Sequence, residues 1–205
     1  MTAPTTVLVP PARVGRWVEN FATRHGETGL VVRDGALAGE AGDGSTFVAR
    51  LPFATTYAGP PEAAAFATAA TAPDTWGVLL VRKGGFAVAR LRGETLAEHK
   101  IGQRHVQGRT KAGGQSQQRF ARRRDNQARQ AYEAAADHAA RILGHRALLL
   151  VTGGDHGAVD EVLDDPRLRQ ATVVGPWLAV PDPRRAVLDA AVQDALAVAV
   201  DVVNR

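Results

Sequence analysis

Thr75-Trp76-Gly77-Val78-Leu79-Leu80-Val81-Arg82-Lys83-Gly84-Gly85-Phe86-Ala87-Val88-Ala89-Arg90-Leu91-Arg92 is the stretch on which the fold class turns. Two largely apolar runs, Thr75 to Val81 and Gly85 to Arg92, flank Lys83-Gly84 and read as a β-hairpin. The chain then changes character. Leu96 to His105 adds a further strand, Gln107 to Gln115 is a polar, glycine-rich loop, and Ser116 to Leu143 has helical spacing. The apolar positions of that helix are Phe120, Ala128, Ala131, Tyr132, Ala135, Ala139 and Ile142, and Gly144 ends it. Arg146 to Thr152 is a continuous Leu-Val run, the signature of a buried strand.

Working outward, Asp155 suits the cap of a short helix over Ala158 to Leu163. Ala171 to Val174 and Trp177 to Val180 are short extended pieces. Asp182-Pro183 opens a last helix whose stripe is Val187, Leu188, Ala191, Ala195, Val198 and Val202. On the N-terminal side, Val14, Trp17, Val18 and Phe21 mark a helix over Arg13 to Arg24, with Pro10-Pro11 before it and Gly26 after it. Gly29 to Arg33 and Ser45 to Leu51 read as strands on either side of a glycine-rich turn, and Pro61 to Ala72 as an alanine-rich helix. This order predicts one α/β domain over residues 1–205, a mixed β-sheet flanked by helices.

Composition bounds the function. With 205 residues, 45% hydrophobic and 22% charged, the chain can build a core without covalent staples. It has no cysteine, which excludes disulfides, thiolate metal sites and a cysteine nucleophile. No segment reads as a signal peptide or approaches the roughly 20 apolar residues of a membrane span, so a cytoplasmic protein without membrane partners is expected. The six histidines show no metal-ligand spacing, and Asp155-His156 reads as a capping turn; no metal and no cofactor are expected. Neither a phosphate loop of the GxxxxGK type nor a GxSxG elbow is present.

The charge is unevenly spread. Lys100, Arg104, Arg109, Lys111, Arg119, Arg122, Arg123 and Arg124 fall in one window that contains no Asp or Glu. The whole chain is +4, so the remainder carries a net −4. A neutral-to-acidic body with one basic segment points to a localised polyanion contact, against a merely solvated basic face as the alternative. A metal-dependent nuclease would need clustered acids there, and the segment has none.

Inside that window lies Lys111-Ala112-Gly113-Gly114-Gln115-Ser116-Gln117-Gln118-Arg119-Phe120-Ala121-Arg122-Arg123-Arg124. A Gly-Gly-Gln tripeptide alone is weak, since a glycine-rich turn before a helix is common. Its flank makes the case: the run resembles the catalytic loop of the class-one translation release factors of archaea and eukaryotes, in which GGQ and Ser are followed by two variable residues and Arg-Phe-Ala-Arg-x-Arg. Arg119, Phe120, Ala121, Arg122 and Arg124 occupy those positions. The resemblance covers residues 75–143 well and later elements loosely, and it extends to the catalytic domain of those factors and not to their codon-reading or partner-binding domains. It points to a second group with the same catalytic domain, the Vms-type release factors of ribosome quality control, which include single-domain actinobacterial members.

The resemblance implies a release-factor-like catalytic domain that hydrolyses the ester of peptidyl-tRNA, independently of the codon, on stalled ribosomes or large subunits. Gln115 is the expected catalytic glutamine, with Gly113 and Gly114 shaping its loop. In the Vms-type group the glutamine often stands in a Gly-x-x-Gln pattern, which Gly114 to Gln117 also satisfies, so Gln117 is the alternative. Arg109, Lys111, Arg119, Arg122, Arg123 and Arg124 are the expected RNA-binding residues, and Phe120 anchors the helix. The implied partners are the large ribosomal subunit, ribosomal RNA and peptidyl-tRNA. The competing reading is a binding protein of the same fold that rescues or hibernates ribosomes without catalysis.

Overall fold

The computed structural model describes residues 4–103, 114–144 and 146–205, with the side chains of residues 114–128 excepted. In chain order these residues form β1 (Thr5–Val9), α1 (Val14–His25), β2 (Thr28–Arg33), β3 (Ala36–Ala41), β4 (Thr46–Arg50), α2 (Ala63–Ala69), β5 (Trp76–Arg82), β6 (Gly85–Arg92), β7 (Thr95–Gln103), α3 (Gly114–Leu143), β8 (Leu148–Gly154), α4 (His156–Leu163), β9 (Ala171–Leu178), α5 (Arg185–Leu196) and β10 (Val198–Val203). The expected α/β class stands, with two five-stranded sheets instead of one. The chain divides into two compact units, residues 1–73 with 192–205, and residues 74–191.

The second unit holds the mixed sheet, in the order β7-β6-β5-β8-β9. The expected hairpin is there: Arg82 pairs with Gly85 across the two-residue turn Lys83-Gly84. β8 and β9 run parallel to β5 and to each other, linked through α4. β5 is central, which is why its first six residues are all buried and why its sequence runs apolar without alternating. Leu79, Val81, Phe86, Val88, Leu148 and Leu150 form the face that meets α3 and α4. The matching stripe on α3 is Tyr132, Ala135, Ala136, Ala139, Ala140, Ile142 and Leu143, at helical spacing. Its alanines let the helix backbone lie close to the sheet. Gly144 closes the helix as expected, with φ +74° and its N–H donating to Ala140 O at 3.0 Å.

The first unit holds an antiparallel sheet, in the order β1-β10-β4-β3-β2. Val14 and Phe21 of α1 and Phe66 of α2 share a core with Leu37, Phe47 and Val198 of this sheet. Two expectations change here. The stretch read as a glycine-rich turn contains the strand β3, entered through Asp34-Gly35, both at positive φ. Asp-Gly between two strands is a strong hairpin signal, and its two positive φ values match the twist of the flanking strands. The residues of β3 have little intrinsic strand preference. The sheet makes use of their smallness instead: Gly39 pairs with Phe47, and a Cβ at Gly39 would lie 2.2 Å from the Phe47 ring.

The last helix is shorter than expected at both ends. α5 stops at Leu196, and Val198 and Val202 belong to β10, which inserts between β1 and β4. The stretch from Val198 to Val202 satisfies a period of two as well as a helical stripe, and β-branched valines pack well on a pleated surface. Val198 and Val200 are buried, while Asp201 on the other face accepts from Thr6 Oγ1 (2.6 Å) and Arg50 Nη1 (2.5 Å). Those hydrogen bonds, the one from Thr6 first, hold the Asp201 carboxyl below the usual carboxylate range. At the other end, Asp182 does not open α5. Its carboxylate lies against Gly84, where a Cβ would come within 2.7 Å of Oδ2, and it is 3.5 Å from Arg82 Nε. Among the described residues no helix is long and apolar enough to cross a membrane.

Candidate active-site loop and its base

The Gly-Gly-Gln segment joins an edge strand to a long helix. β7 ends at Gln103 and α3 begins at Gly114, so Gly114 and Gln115, expected in the loop, are the first two residues of the helix. Gln117, Arg119, Arg122, Arg123 and Arg124 follow on its first three turns. Gly113, Arg109 and Lys111 lie outside the described residues, as do the side chains of the others. The first four N–H groups of an α-helix have no partner within it and sit at the positive end of its dipole. In the described backbone the N–H of Gln115 belongs to that set.

What the structure describes fully is the base that carries this segment. Phe86 of β6 pairs across the sheet with Gly102, next to the end of β7. A Cβ at Gly102 would lie 2.2 Å from Cε1 of Phe86, so the ring occupies the space that any other residue would fill. The same ring stacks on His138 of α3, with centroids 5.6 Å apart. One buried aromatic thus ties together the strand that enters the segment and the helix that leaves it.

A second tie is ionic. Arg90 of β6 donates from Nε to the carbonyl of Ile142 (2.9 Å), one of the last carbonyls of α3 without a partner in the helix. Its Nη2 reaches Glu98 Oε2 on β7 at 3.3 Å, and Arg141 Nη1 donates to Glu98 Oε1 at 2.6 Å. The hydrogen bonds from Arg141 and then Arg90 hold the Glu98 carboxyl below its ordinary range. A third tie is Arg167, which bridges Asp137 of α3 (2.6 Å) and Asp165 (2.7 Å) and whose guanidinium those two carboxylates hold firmly protonated. Nothing in the sequence links Arg90, Glu98 and Arg141, because the members are joined only by strand pairing and helix docking.

Gly102→Val is expected to destabilise the protein by about 1–3 kcal/mol, the usual cost of forcing a branched side chain into occupied space. Urea unfolding checks this; an unchanged midpoint would mean that Phe86 does not seat on Gly102.

The described histidines are taken up in the framework. His25 bonds Asp43 (2.9 Å), His99 meets Arg185 (3.2 Å), and His156 stacks on Trp177 at 3.6 Å between centroids. Asp155 does stand at the start of α4, through its backbone: its N–H donates to Val81 O and its carbonyl accepts from Val159 N. Its side chain makes no capping hydrogen bond. His105 and His145 lie outside the described residues. Among the described residues no group of three or more His, Cys, Asp or Glu is placed to hold a metal ion.

Among solved structures, the chain is similar to Archaeoglobus fulgidus Pelota, with 11% identity and a TM-score of 0.28. That similarity covers 95% of this chain and 64% of the Pelota chain. No curated protein matches. Residues 74–201, from the start of the mixed-sheet unit into β10, match the model of the Actinobacteria/chloroflexi VLRF1 release factor family, and the chain belongs to that family.

Proposed function

We propose that this protein hydrolyses the ester bond of peptidyl-tRNA on stalled ribosomes or large subunits, without reading a codon. The observation that carries the reading is Gly113-Gly114-Gln115 with its Arg119-Phe120-Ala121-Arg122-x-Arg124 flank, in a chain that belongs to a release factor family. Its partners are then the large subunit, its ribosomal RNA and peptidyl-tRNA, met in the cytoplasm, with the two units acting as one functional domain.

The chemistry follows from what glutamine can and cannot do. Its amide does not titrate, so Gln115 is not a general base. It acts by positioning: the side chain orients a water toward the ester carbonyl, and the backbone N–H donates to the oxygen on which charge develops. Placement in the first turn of α3 supports the second role, since that N–H needs an acceptor. The ester is already activated, so modest stabilisation suffices. Gly113 and Gly114 let the backbone approach RNA closely, and the arginines that follow clamp phosphates. Arg119, Arg122 and Arg123 are three and four residues apart and share a side of the helix. The Phe86 and Arg90 ties hold the base of that helix still while its first turns engage the substrate.

The decisive experiment is release of labelled peptide from large subunits carrying peptidyl-tRNA. Release only in the presence of the protein supports hydrolysis, whereas tight binding without release would favour the non-catalytic rescue or hibernation reading. The rate is expected to be the same within about twofold with stop, sense or absent messenger RNA, since catalytic positioning does not involve the message. A strong preference for stop codons would overturn codon independence.

A further inference from the structure

We propose that α1 and the residue before it, Arg13, carry a separate contact for single-stranded RNA, with Arg13, Arg16 and Arg24 on phosphates and the indole of Trp17 against a base. Two adjoining hollows flank this helix, of about 370 and 620 Å³. Trp17, Asn20 and Arg24 line the first; Arg13, Arg16, Trp17 and Asn20 line the second. Because Trp17 and Asn20 belong to both, the hollows form one groove. No Asp or Glu lines either of them. Among the described residues no carboxylate lies within ion-pairing distance of Arg13, Arg16 or Arg24.

The sequence sets this side of the helix apart. Positions 13, 16, 17, 20 and 24 fall within an arc of about 100° on a 3.6-residue helix, and Arg13 to Arg24 spans about 16 Å, the reach of a few nucleotides. Glu19 falls outside the arc. Trp17 is half-buried and preset: its ring stacks on Phe21 at 5.7 Å and meets Phe47 edge-on at 5.1 Å, which fixes one side and leaves the rest to line the groove. Arginines beside an aromatic platform are the elements of single-strand binding. A phosphodiester strand employs all of them, with phosphates on the arginines, a base on the indole and a base edge on the Asn20 amide. An acidic peptide would leave the indole unused. The groove lies outside the span that matches the release factor family. The choice of RNA over another polyanion rests on the ribosomal reading above.

The test uses the full chain and a labelled octauridine, with anisotropy measured across a salt series and tryptophan emission followed in parallel. Replacing Arg13, Arg16 and Arg24 together by Gln is expected to weaken binding about a hundredfold and to lower the salt slope by about 2, for three lost phosphate contacts. The same drop is expected when Arg122 and Arg123 are also replaced. Octauridine is expected to quench emission in the native protein, and Trp17→Phe is expected to lose most of that quenching, since Trp76 is fully buried and one face of Trp177 is stacked on His156. Thermal unfolding reports whether the variants keep their fold. Quenching by RNA in a protein that releases no peptide still supports the groove, so the two readings fail separately. Unchanged affinity and slope in the triple variant, or equally tight binding of octaglutamate or anionic vesicles, would overturn the proposal.

Discussion

Gln115→Ala is expected to slow peptide release by about 10²–10³-fold, the loss typical of removing one preorganised group that acts only on the transition state. Affinity for large subunits is expected to change less than about twofold, because the basic side chains, and not the neutral amide, supply the binding. The separation of the two effects is what makes the variant informative. A residue that merely shaped the loop would lower both together. The substitution keeps the Gln115 backbone N–H, so a residual rate above the uncatalysed one is expected from that donor. Gln115→Glu is the sharper companion: it keeps the size, brings a negative charge toward the developing oxyanion, and is expected to be no better than alanine. Single-turnover release and subunit binding, measured on the same preparations, check both variants. Full activity in Gln115→Ala would remove the assignment, and loss in Gln117→Ala instead would transfer the role to Gln117.

The second large effect concerns the basic run after the glutamine. Arg122→Ala and Arg123→Ala together are expected to weaken large-subunit binding about thirtyfold, taking about 1 kcal/mol for each charge-assisted phosphate contact. The slope of log affinity against log salt is expected to fall by about 1.5, since two fewer phosphates release their counterions. Turnover of complexes that do form is expected to fall far less than in Gln115→Ala. A solvated basic face predicts neither change, so unchanged affinity and slope in the double variant would defeat the RNA contact.

How much of this was legible beforehand differs between the two units. Most of the mixed-sheet unit could be read, because its signals are local, although the two short extended pieces over 171–174 and 177–180 are one strand, β9. Lys83-Gly84 specifies a two-residue turn, the unbroken apolar run of β5 specifies a central strand, and Gly144 ends a helix whose stripe is visible from Tyr132 to Leu143. The Gly-Gly-Gln run and its arginine flank were equally legible, as a pattern of residue types at short spacing.

The antiparallel unit was read in part: the helices over 13–24 and 61–72 and the strands over 29–33 and 45–51 stand as α1, α2, β2 and β4, while β3 and β10 escaped the reading. Val198 to Val202 fits a helical stripe and a strand alternation alike, and only the slot between β1 and β4 selects the strand. β3 lies where a turn was read: Asp34-Gly35 turns the chain back on β2, and Gly39 leaves room for Phe47 of β4. The same holds for the base of the candidate site. The sequence determines by itself that a glutamine follows two glycines between a strand and a basic helix. Only the tertiary structure decides that Phe86 rests between Gly102 and His138, and that Arg90 gathers the end of α3 to Glu98. Short-range spacing encodes turns and periodicity, whereas a contact between residues 43 or 52 positions apart exists only once the sheet has paired and the helix has docked upon it.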